Sequence, residues 1–207
     1  MKKTLVLAIS VFLASVSQAS VDKFKDHIEM ANNAKLNMNS RWSSLIRSTE
    51  FATKETYEDI RKFTTHNQWY MRNAALVALG KLDKDLALEE ARKLVKDKAL
   101  VVRSAAVEVI AKTMNEDNKK LLISEVDQGY NYNKKSSLWI RRQILEKIAV
   151  VANQDDRELF VKNLFDQDKK IAELSAKVLE KLTGTKLESK KFVDNWRAYA
   201  KEKSWYQ

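Results

Sequence analysis

One helix design is written into this chain several times, and that repetition limits what the chain can fold into. Residues 69–112 hold two copies. The first runs Met71-Arg72-Asn73-Ala74-Ala75 to Leu79-Gly80, and the second runs Val102-Arg103-Ser104-Ala105-Ala106 to Ile110. Each sets an Arg behind an apolar residue, a pair of Ala two and three residues later, and an aliphatic residue at the seventh. Arg72 and Arg103 are 31 residues apart. A third copy, Ile140-Arg141 to Ile144 and Ile148, follows 38 residues after Arg103. A fourth, Ile171-Ala172 to Leu179, has Ala172 in the Arg position, 31 residues after Arg141. The unit is therefore 31 residues, with seven more in the third copy, and the polar stretch 129–135 supplies the surplus. A helix-forming stretch precedes each copy, at 57–64, 86–96, 118–127 and 157–165. The pattern predicts helical hairpins that bury their apolar faces only by stacking.

Composition agrees. The 207 residues contain no Pro and three Gly, too few breakers for strands joined by tight turns, so the chain reads as all-α. Apolar residues make up 44%, enough for a real core. Cys is absent, which excludes a disulfide framework, a thiolate metal site and a catalytic thiol. The net charge of +10 could attract anionic partners, although a solvated Lys-rich helical surface is the simpler explanation.

The ends differ from the middle. Lys2-Lys3, the apolar run 4–16 and Ser17-Gln18-Ala19 have the make-up of a cleavable bacterial signal peptide, cut between Ala19 and Ser20. That places the mature protein in the periplasm and counts against cytosolic substrates such as ATP or genomic DNA. Residues 20–52 read as an N-terminal helical cap, with Ser40 expected to cap a helix carrying Trp42, Leu45 and Ile46. Residues 53–184 form the array, with Gly184 as its closing helix cap. Residues 185–207 form a capping helix, with Trp196 and Tyr199 on one face, and a tail.

The pattern resembles HEAT-like repeats, and the Leu182-Thr183-Gly184 exit followed by a Trp-bearing helix looks like the ending of bacterial exported members. The residues that carry the likeness are Asp97, Val102-Arg103 and Ala105-Ala106, with Met71-Arg72, Ala74-Ala75 and Leu79-Gly80. The match departs at His66, which stands in the Asp position, at Lys135, which stands there in the third copy, and at Ala172. The resemblance implies a right-handed α-solenoid of about four hairpins with helical caps. It also implies an Asp–Arg ladder made of Arg72, Asp97, Arg103 and Arg141. In such a ladder the Arg binds the carboxylate or carbonyls closing a turn, and Arg103 is expected to pair with Asp97 or a neighbouring carbonyl.

Few residues suggest chemistry. The only two histidines, His27 and His66, lie far apart, and there is no His-Glu pair of the kind HEAT-like metal hydroxylases use. No Gly-rich phosphate loop or nucleophile elbow occurs. The HEAT-like alkylpurine glycosylases share helices, Trp and positive charge, but export argues against that activity. No cofactor, metal or nucleic acid is expected. The break in the repeat is the best candidate for binding. It presents Tyr130, Tyr132, Lys134 and Lys135, followed by Arg142, a mix suited to a protein interface, a sugar or an anionic polymer. Trp139 beside it is expected in the core. The sequence thus reads as a non-catalytic protein-binding scaffold with an envelope or periplasmic protein partner. The alternatives are an electrostatic binder of an anionic polymer or membrane surface, and an enzyme of unknown class.

Overall fold

With no proline and only three glycines, little along the chain interrupts helical hydrogen bonding. The computed structural model, which describes residues 18–205, is accordingly mostly helical with almost no sheet. The expected leader lies outside the described residues up to position 17, and residues 18–20 form the start of the described first helix. Among the described residues no helix is long and apolar enough to cross a membrane.

The chain divides into two compact units, one ending at Val109 and the other beginning at Ile110. The first holds α1 (18–32), α2 (Met38–Ser48), α3 (Tyr57–Arg61), α4 (Trp69–Leu82) and α5 (Lys84–Leu94), with most of α6 (Leu100–Lys112). The second holds α7 (Glu116–Val126), α8 (Trp139–Val151), α9 (Arg157–Leu164), α10 (Lys169–Thr183) and α11 (Phe192–Glu202). Turn residues set these limits. Asp83, Asn115 and Asp168 cap α5, α7 and α10 by accepting backbone N–H bonds, each worth about 1 kcal/mol. Gly184 ends α10 in the left-handed region at φ 70°. The α2 cap differs from expectation: Asn37 accepts the Ser40 N–H at 2.9 Å, so the helix begins earlier and Ser40 lies within it.

In the first unit α4 packs on α2, α3 and α5. Its Ala74, Ala75 and Ala78 are fully buried with Leu45, Ile60, Met71 and Leu79. The paired Ala of the repeat are therefore the small residues at which helices approach. In the second unit α7 packs on α8, α9 on α10, and α10 on α8 and α11. Trp196 on α11 is fully buried, with Tyr199 edge-on to it at 5.5 Å.

Buried guanidinium groups join these helices. Arg72 donates from Nη1 to the carbonyls of His66 and Asn67, at 2.8 and 3.0 Å, in the turn before its own helix. Its Nε and Nη2 grip the Asp97 carboxylate, both at 2.6 Å, in the next repeat's turn. Arg103 likewise donates to the carbonyls of Asp97 (2.7 Å) and Lys98 (3.3 Å), in the turn before its own helix. It therefore meets Asp97 through the backbone, while the Asp97 carboxylate binds Arg72. Burial opposes ionisation of Asp97, but the Arg72 fork and the Ala99 N–H outweigh it and hold the carboxyl below its ordinary range.

The joint also occurs where the sequence reading placed only a cap. Arg41 lies 31 residues before Arg72. It is buried, donates from Nε to the Ala31 carbonyl at 2.8 Å and from Nη1 to the Tyr70 hydroxyl at 2.9 Å, and sets Nη2 3.3 Å from His66 Nε2. His66 thus occupies the position that Asp97 fills for Arg72. Arg41 was hidden because Ser43 and Ser44 replace the paired Ala that marked the other copies. At the far end Ala172 is buried and carries no cation. There Arg197, on α11, donates from Nε to the carbonyl of Leu164, at the end of α9, at 3.0 Å.

Two outcomes test these joints. Arg72 and Asp97 leave only 6% and 7% of their side chains exposed, so Arg72→Ala should lower the unfolding free energy by about 3–5 kcal/mol in urea titration, because Asp97 is left buried and unpaired. His66 supplies a pH dependence. Burial first, then the charges of Arg41 and Arg72, hold its imidazole below the ordinary 6.5. The unfolded chain therefore binds the proton more readily than the folded one. The His66 contribution is complete above about pH 6.5 and is lost as pH falls through the depressed folded value. Melting temperature should decline over that window. His66→Asp, which gives Arg41 an anion, should flatten the decline and raise the melting point at neutral pH; an unchanged slope would refute the assignment.

Candidate functional site

The seven extra residues of the third copy do not form an open loop. Gly129 opens a 3₁₀ turn, Gly129–Asn131, directly after α7. Asn131 donates from its side chain to the Glu125 carbonyl at 2.7 Å, and the Tyr130 hydroxyl bonds the Glu125 carboxylate. The chain then folds back as a short antiparallel pair, β1 (Tyr132–Asn133) and β2 (Ser136–Ser137), with Tyr132 opposite Ser137 and Asn133 opposite Ser136. Lys134 and Lys135 make the two-residue turn. Lys134 sits at φ 56°, in the left-handed region that a two-residue hairpin turn favours but a side chain resists.

Arg141 anchors this hairpin to the helices. Only 2% exposed, it donates from Nε to the Val126 carbonyl (3.0 Å) and from Nη2 to Asp127 (2.8 Å) and Asn163 (3.3 Å). Nη1 reaches Asp166 at 2.7 Å and the Ser137 hydroxyl, and the guanidinium lies 4.5 Å from the centre of the Tyr132 ring. The acids of this joint are Asp127, before the insertion, and Asp166, in the next turn. Lys135, the residue at the Asp spacing in sequence, is an exposed turn residue, because the hairpin is inserted between Asp127 and Arg141. Burial opposes ionisation of Asp127, but hydrogen bonds from Lys162 and Arg141 prevail and keep its carboxyl low.

Between the hairpin and the α9–α10 turn lies a groove of about 530 Å³. One wall is Tyr132, Lys135, Ser136 and Ser137, and the other is Phe165, Asp166, Gln167 and Asp168. Of the residues singled out in the sequence, Tyr132 and Lys135 line it. Lys134 is exposed at the turn. Tyr130 is held to Glu125 and stands apart from the groove. Arg142 is half-buried on α8, 3.4 Å from Glu146, and does not reach it. Trp139 is 46% exposed, contrary to the expected burial. The inward face of α8 is Ile140, Arg141, Ile144, Leu145 and Ile148, and a residue one step before Ile140 is turned about 100° away from it. The wall from Phe165 to Asp168 was missed because it comes some 30 residues later in the chain, where only the repeat's Asp166 hinted at a joint.

The groove offers recognition chemistry. Burial first, then Asp127, raises the Tyr132 hydroxyl to about 12, although Arg141 opposes the shift. Tyr132 thus remains a neutral donor, bonded to Asp127 at 3.1 Å. Asp166 accepts from Arg141 and from the Asp168 N–H, and Asp168 accepts from the Lys170 N–H. Among the described residues no three histidines or acids converge as metal ligands.

The turn gives a direct test. A non-glycine residue in the left-handed region costs about 1–2 kcal/mol, part of which glycine returns as backbone entropy. Lys134→Gly should therefore stabilise the hairpin by about 0.5–1 kcal/mol, measured as slower hydrogen exchange at Asn133 and Ser136.

The chain matches no protein-family model, and no curated protein shows significant similarity to it.

Proposed function

We propose that this chain is a non-catalytic protein-binding scaffold of the bacterial envelope. Its helical pairs stack as a right-handed α-solenoid of about four HEAT-like hairpins, closed by a helical cap at each end. A leader cut between Ala19 and Ser20 delivers it to the periplasm. The even spacing of Arg41, Arg72 and Arg103 supports the repeat reading.

One observation carries the binding role. The insertion that breaks the repeat is an ordered hairpin, pinned by the buried Arg141, and it forms one wall of a groove. The joint at Arg72 forms with no such insertion beside it, so the hairpin adds a surface that a joint does not require. The groove's aromatic rings, hydroxyls and carboxylates suit the side chains and main chain of a protein segment. Tyr132 is held by Asp127, and Ser137 and Asp166 by Arg141, which fixes these groups for a partner.

Replacing Lys135 with a photo-crosslinking phenylalanine analogue and irradiating envelope fractions should give a discrete protein adduct. The same probe at exposed Lys54 should not give it. The same adduct from both positions, or none from position 135, would refute the assignment of the groove.

A further inference from the structure

The second unit carries its net charge in one place. Residues 110–168 contain ten Lys and Arg against ten Asp and Glu, whereas residues 169–207 contain ten against five. Among the described residues, only Arg197 and Lys203 of those last ten cations stand at ion-pair distance from an acid, each at 3.4 Å. Lys170, Lys177 and Lys181 are exposed on α10. At 100° per residue they fall within about 40° of one another, and at 1.5 Å per residue they span about 16 Å. They form one stripe.

Through Lys177 the stripe meets a trough along the seam of α10 and α11. Lys177 and Lys191 line a hollow of about 430 Å³ with Phe192 and Val193. Lys169 and Arg197 line an adjoining hollow of about 210 Å³ that shares Glu173, Val193 and Asp194 with the first. Arg197 is already paired with Asp194, so Glu173 is the one unpaired acid among these residues. Together the two hollows are lined by four cations and two acids, with Ala172, Phe192 and Val193 as their apolar strip.

The chemistry of this face selects among anions. Between residues 169 and 205 no large hydrophobic side chain is exposed, so nothing is offered for insertion into a bilayer or for stacking on a base. Nine of its ten cations are Lys. These are point charges on long stems, without the planar forks that favour phosphate. Carboxylates spaced along a chain, with apolar side chains between them, match both the charge and the strip.

We propose that the α10–α11 seam docks an extended acidic polypeptide segment. At about 3.3 Å per residue, the lysine stripe spans about five residues of such a segment. Attraction between the stripe and the carboxylates provides steering and register, and Phe192 and Val193 receive side chains between the acids. This surface is separate from the hairpin groove, so the failure of either assignment leaves the other standing.

The test is the binding of a fluorescein-labelled oligoglutamate peptide, followed by anisotropy at low and physiological salt. The wild-type chain should bind, with affinity falling steeply as salt rises. Lys170→Glu/Lys177→Glu/Lys181→Glu should weaken binding by about tenfold or more. Lys84→Glu/Lys98→Glu/Lys120→Glu makes the same change in net charge at other exposed sites and should weaken it by less than about threefold. All six lysines are exposed, and thermal melts confirm that both variants fold. Equal loss in the two variants, or no wild-type binding at low salt, would overturn the proposal. Tighter, stripe-dependent binding of inorganic polyphosphate or anionic lipid vesicles would overturn its choice of occupant.

Discussion

A buried guanidinium must satisfy five donors and a charge that has left water. Arg141 does so with five acceptors: a carbonyl at the end of α7, the carboxylates of Asp127 and Asp166, the Asn163 amide and the Ser137 hydroxyl. Desolvation alone would oppose this charge, and the two carboxylates and the polar acceptors offset it. The geometry explains the choice of Arg. Its planar fork can hold a carboxylate with two bonds while its remaining N–H groups bind turn carbonyls. A lysine ammonium at the same place would make fewer fixed contacts. Arg72 shows the simpler version, with a two-bond grip on Asp97 and two turn carbonyls behind it. Each such residue ties a helix to the turn before it and to an acid later in the chain.

The variations show what the joint requires. At position 66 the acid is replaced by His, and a cation now faces a ring that can itself become cationic. At Ala172 the Arg is missing, yet the carbonyl of Leu164, at the end of α9, is bonded by Arg197 from another helix. In the third copy seven residues enter between Asp127 and Arg141, and the guanidinium still reaches Val126 and Asp127. The requirement is thus for donors placed at the turn carbonyls. The chain position that supplies them can change. First helices carry a second set of ties, with Arg61 bonding Glu90 at 2.8 Å and Lys119 meeting Asp156 at 3.3 Å.

Much of the fold was legible in sequence because helix periodicity and the spacing of Arg and Ala are local signals. The helix pairs, the Gly184 cap and the burial of Trp196 all follow from such signals. Arg41 escaped because Ser can replace Ala at a close helix approach, which conserves size and changes the letters. Trp139 was misplaced because a one-residue step around a helix separates the core from solvent, and a composition-based reading of an aromatic residue does not resolve that step. The groove was half legible. The insertion announced itself by breaking the period, whereas Phe165 to Asp168 joined it through Arg141 and Asp166, a contact between residues 25 apart. Nor did the sequence show that the insertion pairs with itself, since Lys134 is an unfavourable residue for the conformation it holds.

The joints and the candidate surfaces use charge in opposite ways. At the joints cations are buried and matched by acids, and their fields are largely spent within the fold. On α10 and α11 the lysines remain in water, without acids beside most of them, and their field extends outward over about a Debye length. Charge of the first kind fixes helices and tolerates little substitution, while charge of the second kind can vary without disturbing packing. A repeat built on the first kind leaves its outer faces free to acquire the second. That division lets one set of arginines hold the helices together while an inserted hairpin and a lysine stripe, the two surfaces proposed for binding, carry different chemistries at the surface.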